Sequence, residues 1–318
     1  REQPRSRGLG DVYKRQALQN TLELANFCEE LGYHRFWVSE HHSHPSIMGT
    51  APEVLMAAIA ARTKHIRIGS AGIMLPHYAS LKVAEQFRVL NALAPGRIDL
   101  GLGRAPGSDR RTANILNPNN FAAEQFPQQV MELRAWVSGK PMSSDHPGSG
   151  VSAFPQSDSK PTLWILGSSD YGARLAAFLG IPYAFAHFIT DGQGVDQALE
   201  LYFRIYKPSS EHPEPQAILC VWALTANCEK EAWHQFESRA RWRMDRNKGS
   251  IGPLLPPQNA LRDYAPGELI ELDQFRNNSL VGNSKQVSEK LNRLALSLIH
   301  ISEPTRPRLI SYAVFCLK

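Results

Sequence analysis

The 318-residue chain is 42% hydrophobic and 20% charged, a balance that supports a packed core and excludes a disordered or fibrous protein. No run approaches the roughly 20 apolar residues of a membrane span, and residues 1–16 lack the apolar stretch of an export signal, so the sequence predicts a cytoplasmic protein. The net charge of +5 invites a search for nucleic acid, but residues 17–295 carry 27 basic and 27 acidic side chains; the excess lies at the ends, and no nucleic-acid partner is implied.

From residue 17 the chain alternates helical and strand periodicity. Leu18, Leu22, Ala25 and Cys28 line one face of a first helix that should stop at Gly32, and residues 34–39 (HRFWVS) read as a buried strand. A helix over 51–62 tolerates Pro52 in its first turn. Strand 65–73, helix 80–93 stopped by Pro95-Gly96, and strand 97–103 follow. Beyond them come a helix over 124–137, strand 162–166, helix 170–179 ended by Gly180, strand 182–186, a helix reaching 206, strand 217–224 and a helix from 229 to about 243.

Repeated βα units with near-continuous apolar strands predict a parallel sheet covered by helices, here a TIM (β/α)8 barrel. A doubly wound dinucleotide fold should carry a glycine fingerprint after an early strand. None is present, since Gly101-Leu102-Gly103 runs on into Arg104-Ala105-Pro106. Residues 138–161 and 249–278 interrupt the alternation and are expected to be long loops of the kind used as lids or binding loops. The four cysteines, Cys28, Cys220, Cys228 and Cys316, stand singly and support neither a disulfide framework nor a thiolate zinc site.

Barrel chemistry gathers at the C-terminal ends of the strands. The first strand above runs into Glu40-His41-His42-Ser43-His44, where a histidine can act as proton donor or base, or His42 and His44 can share a metal as in a hydrolase barrel; no second ligand cluster appears at the later strand ends. The small residues around Ala71 and Gly72 admit a flat ligand to the backbone, or serve a bulge that curves the barrel. Arg104 can offer a fork of donors to a phosphate or carboxylate, or pair on the surface. Gly167-Ser168-Ser169-Asp170-Tyr171 joins a strand to a helix start, a natural phosphate cradle or a plain N-cap. Taken together, the arginine and the helix start suggest a phosphorylated cofactor.

These residues resemble the bacterial luciferase-like family of flavin-dependent monooxygenases, most specifically in LELANFCEELGYHRFWVSEHHSHPSIMGTAPEVL, HIRIGSAGIMLPHYASLKVAEQFRVLNALAPGRIDLGLGRAPGSD and LWILGSSDYGARLAAFLGIPYAFAHF. The resemblance implies a TIM barrel that takes reduced FMN from a separate NAD(P)H-dependent reductase, uses O2 and oxygenates a small organic substrate, commonly as a homodimer. It assigns His41 as the active-site histidine, Ala71 and Gly72 as the strand end behind the flavin ring, often through a non-prolyl cis bond, and Arg104, Gly167, Ser168, Ser169 and Tyr171 as phosphate-binding groups. Gly103 stands where luciferases proper carry a reactive cysteine and Gly167 where they carry an acid, so light emission from an aldehyde is not implied. A relative using F420, and a non-catalytic flavin-binding protein of the same fold, are the alternatives.

The ends depart from this pattern. REQPRSRGLGDVYKRQ and LSLIHISEPTRPRLISYAVFCLK resemble translated sequencing-adapter DNA, which predicts a leader over 1–16, a barrel domain over 17–295 and a tail over 296–318. The native first and eighth strands are then missing or replaced, leaving unpaired edges and an unstable chain. A genuine strand over 296–302 is the alternative reading of the tail.

Overall fold

The computed structural model describes residues 5–44, 47–119, 121–250, 252–299 and 311–315. They form two compact units, Arg1–Leu166 and Gly167–Lys318.

The first unit opens with helix α1 (Arg5–Glu30), followed by β1 (Arg35–Val38), α2 (Pro52–Ala60), β2 (Arg67–Ser70), β3 (Ile73–Met74), α3 (Ser80–Leu93), β4 (Ile98–Gly103), α4 (Arg110–Leu116), α5 (Phe126–Ser138) and β5 (Thr162–Gly167). Leu22 and Ala25 are buried along α1, and Gly32 at φ 78° ends it in the left-handed conformation that only glycine adopts freely. Strands β1, β2, β4 and β5 pair in that order, all parallel. Every residue of β4 is buried, as a strand covered on both faces requires. Phe87, Leu90, Val130, Leu133 and Val137 supply the apolar faces of α3 and α5.

The N-terminal ends of these strands carry a buried charge cluster. Asp99 of β4 is fully buried and accepts from Arg35 Nε at 3.1 Å, Arg67 Nε at 3.1 Å and Trp37 Nε1 at 3.0 Å. In barrels this end serves stability, while the opposite end is left to chemistry.

The second unit contains α6 (Asp170–Leu179), β6 (Tyr183–Phe185), α7 (His187–Thr190), α8 (Val195–Ile205), β7 (Ala217–Ala226), α9 (Glu229–Asn247), α10 (Pro257–Ala260), α11 (Pro266–Asn277), β8 (Leu280–Asn283), α12 (Ser284–Ile299) and β9 (Ser311–Phe315). Strand β7 pairs in parallel with β6, β8 and β9. Its core includes Ala232, Phe236 and Ala240 of α9, Leu272 and Phe275 of α11, and Val281 of β8. No helix among the described residues is long and apolar enough to cross a membrane.

The expected elements recur in order over 34–247, with helix α4 added between β4 and α5; further differences lie at 65–73, 249–278 and 296–299. Residues 65–73 are not one strand: β2 pairs through Ile68 and Gly69 with Ile98 and Asp99, whereas β3 pairs through Ile73 and Met74 with Leu102 and Gly103. Residues 249–278 are not structureless, because α11 lies inside them. Pro266 occupies its first turn, where no N–H is needed, Glu268 accepts from the Ala265 N–H at 2.9 Å, and Leu272 and Phe275 bury one face. Residues 296–299 are the last turn of α12 rather than the start of a strand, while 300–302 lie outside the described residues. The expected boundaries at 17 and 295 fall inside α1 and α12. Of the proposed leader and tail, residues 1–4, 300–310 and 316–318, with Cys316, lie outside the described residues.

Candidate active site

In the first unit the chain leaves β1 at Val38 and turns through residues 39–44. Two backbone hydrogen bonds hold this turn: His41 donates to Gly49 O at 2.9 Å, and His42 donates to Gly107 O at 3.1 Å. The turn therefore presents its histidines from a fixed backbone.

Glu40 is fully buried, and three donors converge on it. Its Oε1 lies 2.7 Å from His42 Nε2 and 2.7 Å from the Tyr78 hydroxyl, and its Oε2 accepts the Met74 N–H at 3.0 Å. A buried carboxylate requires such partners. Burial, and then the contact with Glu40, pushes the Tyr78 phenol well above its ordinary value, so Tyr78 is the donor in that bond. His42 also meets the His77 ring edge to face, with centroids 5.7 Å apart, and a His77 ring nitrogen lies 2.7 Å from Pro106 O.

His41 is half-buried. Burial lowers its imidazole below the ordinary 6.5, against an opposing hydrogen bond with the Gly107 backbone. The imidazole is neutral at neutral pH and able to take a proton. The Ala71–Gly72 peptide is cis, and the Ala71 N–H reaches Val38 O at 2.7 Å. Gly72 is packed so closely that a Cβ there would stand 2.7 Å from Gly101 O, which excludes any side chain at this strand end. Arg104 follows β4 and is exposed.

In the second unit β5 ends at Gly167, and α6 starts beyond Ser168 and Ser169. Ser169 is the extended N-cap residue at φ −155°, and its side chain makes no capping bond, so the first-turn N–H groups are not taken up by that hydroxyl. The Tyr183 hydroxyl donates to Ser169 O at 3.2 Å and steadies the turn. Ser168 is half-buried, while Ser169 and Tyr171 are exposed.

The sequence singled out His41, Ala71, Gly72 and Arg104 in the first unit, and Gly167, Ser168, Ser169 and Tyr171 in the second. It missed the convergence of Glu40, Tyr78 and Met74. His42 and His44, considered as a metal pair, belong to no group of three or more His, Cys, Asp or Glu side chains placed to hold a metal among the described residues. The Nε2 of His42 is engaged by Glu40 instead.

Residues 4–300 match the family described as luciferase-like monooxygenase. A luciferase-like monooxygenase of Escherichia coli K12 is 40% identical over 283 residues, covering 88% of this chain and 82% of its own. An N-acetyl-S-alkylcysteine monooxygenase of Bacillus subtilis is 37% identical over 282 residues, covering 87% and 83%. In fold, the chain is similar to the crystal structure of apo-MsnO8 with a TM-score of 0.81 at 32% identity, covering 95% of this chain and 87% of that one. The parallel α/β architecture is thus the one that the barrel monooxygenases share.

Proposed function

This chain belongs to the luciferase-like monooxygenase family, and from that premise we propose that it is a flavin-dependent monooxygenase that uses reduced FMN, delivered by a separate reductase, to oxygenate a small organic substrate. The observation that carries the reading is the turn after β1, where the half-buried His41, held below its ordinary value by burial, follows the fully buried Glu40.

Each unit by itself carries donors that suit a phosphate. In the first, Arg104 carries a guanidinium; in the second, Ser168 and the helix start at Ser169 and Tyr171 carry a hydroxyl and backbone N–H groups, and the Ser169 side chain makes no capping bond. Gly167 admits close approach of the chain. Ala71 and Gly72 supply a surface without side-chain bulk for a flat ring. When bound, reduced FMN supplies two electrons to O2, so that one oxygen atom passes to the substrate and the other leaves as water. His41 holds or accepts the proton that this chemistry moves.

The test is oxygen transfer. With reduced FMN generated by a reductase and 18O-labelled O2, an N-acetyl-S-alkylcysteine is a suitable first probe, because a relative 37% identical bears that activity in its name. One labelled oxygen is expected in the product, and a sharply reduced but measurable yield in His41→Gln. Flavin binding without oxygen transfer to any of a panel of thioethers, amines and ketones would instead select a non-catalytic flavin-binding protein, and tight binding of F420 in place of FMN would select the deazaflavin branch.

A further inference from the structure

We infer that Glu40 and Tyr78 are positioning residues that fix the tautomer of His42 and make its Nδ1 a second point of proton exchange at the site, an inference that rests on the monooxygenase reading of that site. Each partner of Glu40 has a fixed role in its hydrogen bond. A carboxylate only accepts hydrogen bonds, the Met74 N–H only donates, and a phenol kept protonated by burial donates as well. With the Met74 N–H and the Tyr78 hydroxyl both donating to it, Glu40 as a carboxylate takes its third hydrogen bond from a protonated Nε2 of His42 across 2.7 Å.

A neutral imidazole carries one N–H, so the Nδ1 of His42 is left with its lone pair. Its ring makes no other hydrogen bond among the described residues. Carboxylate–histidine pairs hold the ring orientation and stabilise the imidazolium once the far nitrogen takes a proton. Glu40 also joins the three segments involved: the histidine turn, strand β3 through Met74, and the turn that carries Tyr78. His42 is thereby locked to the strand end that follows Ala71 and Gly72.

A single substitution separates this from a merely structural role. In Glu40→Gln the amide oxygen must face the Met74 N–H, which cannot reverse its bond, so the amide NH2 faces His42 and Tyr78. The hydroxyl can turn to accept; His42 can accept only by moving its proton from Nε2 to Nδ1. The 318-residue chain, 15N-labelled at histidine and free of flavin, is read by long-range 1H–15N spectra at mildly alkaline pH, with His42 identified by its absence in His42→Gln.

The expected result is Nε2–H in the parent chain and Nδ1–H in Glu40→Gln. Nδ1–H in the parent, or an unchanged tautomer in Glu40→Gln, overturns the inference. If Glu40→Gln does not fold, Tyr78→Phe removes one donor and keeps the carboxylate. The His42 ring resonances must then move while His212 and His234 stay in place, and unmoved His42 resonances overturn it equally. Failure to bind FMN would overturn the monooxygenase reading without touching the ring-nitrogen result, so the two failures are distinguishable.

Discussion

The carboxylate of Glu29, in the last turn of α1, accepts the N–H of Ile66 at 2.7 Å, immediately before β2. The same carboxylate takes the N–H groups of Lys64 at 3.0 Å and His65 at 2.7 Å, so one side chain closes the connection that leads into β2. Desolvation would raise this group, but the three backbone donors outweigh it and hold Glu29 at about 2, against an ordinary 4.5. A depressed carboxylate stabilises the fold fully above its unfolded value, and that contribution fades as the pH falls through the folded one.

Thermal midpoints of the parent chain and Glu29→Gln, measured across the acid range, should therefore differ most above pH 4.5 and converge as the pH approaches 2. A constant gap across that window would show that the capture of these N–H groups does not depend on charge.

Asp99 stands between two arginines at the buried end of the first unit. Replacing it with alanine leaves Arg35 and Arg67 without their shared carboxylate and the Trp37 N–H without an acceptor. Removing one partner of a buried ion pair costs about 3 to 5 kcal/mol, and chemical denaturation of Asp99→Ala should show a loss of that order. A change below about 1 kcal/mol, the level of an exposed pair, would mean that water already solvates the cluster.

His41 carries the pH dependence of the proposed reaction. Its imidazole sits below the ordinary 6.5 because of burial, and a base works in its neutral form. The acid limb of the turnover profile should have its midpoint below pH 6.5 and disappear in His41→Gln, while that variant retains flavin. An acid limb that survives the substitution assigns it to another group.

The βα order was legible because its strands are compact apolar runs and its helices carry apolar residues three or four apart, as Val83, Phe87 and Leu90 do in α3. Gly32 and Gly180 marked helix ends through the positive φ they adopt. Helix α11 was not legible. Its Pro266-Gly267 start reads as a breaker, and only packing against α9 shows Pro266 to be a first-turn residue. Strand β8 is four residues long and includes a glycine, too short for periodicity to register.

At the candidate site, Glu40-His41-His42 was visible as a cluster of chemically able side chains. The partners that give Glu40 its role come from Met74 and Tyr78, 34 and 38 residues further along the chain. No local period links such positions, so only the fold brings them to one carboxylate. Arg104 and the Ser168–Ser169 turn were recognisable for a different reason: each follows directly from a strand ending in glycine.

The central claim, that the chain is built to use reduced FMN, is tested most directly by anaerobic titration of the 318-residue chain with reduced FMN, with Arg104→Ala as the comparison. The account predicts saturable binding of one flavin per chain. It also predicts an affinity weakened roughly ten- to hundredfold in the variant, the equivalent of losing a charged hydrogen bond of about 1.5 to 3 kcal/mol. No saturable binding of FMN would contradict the account.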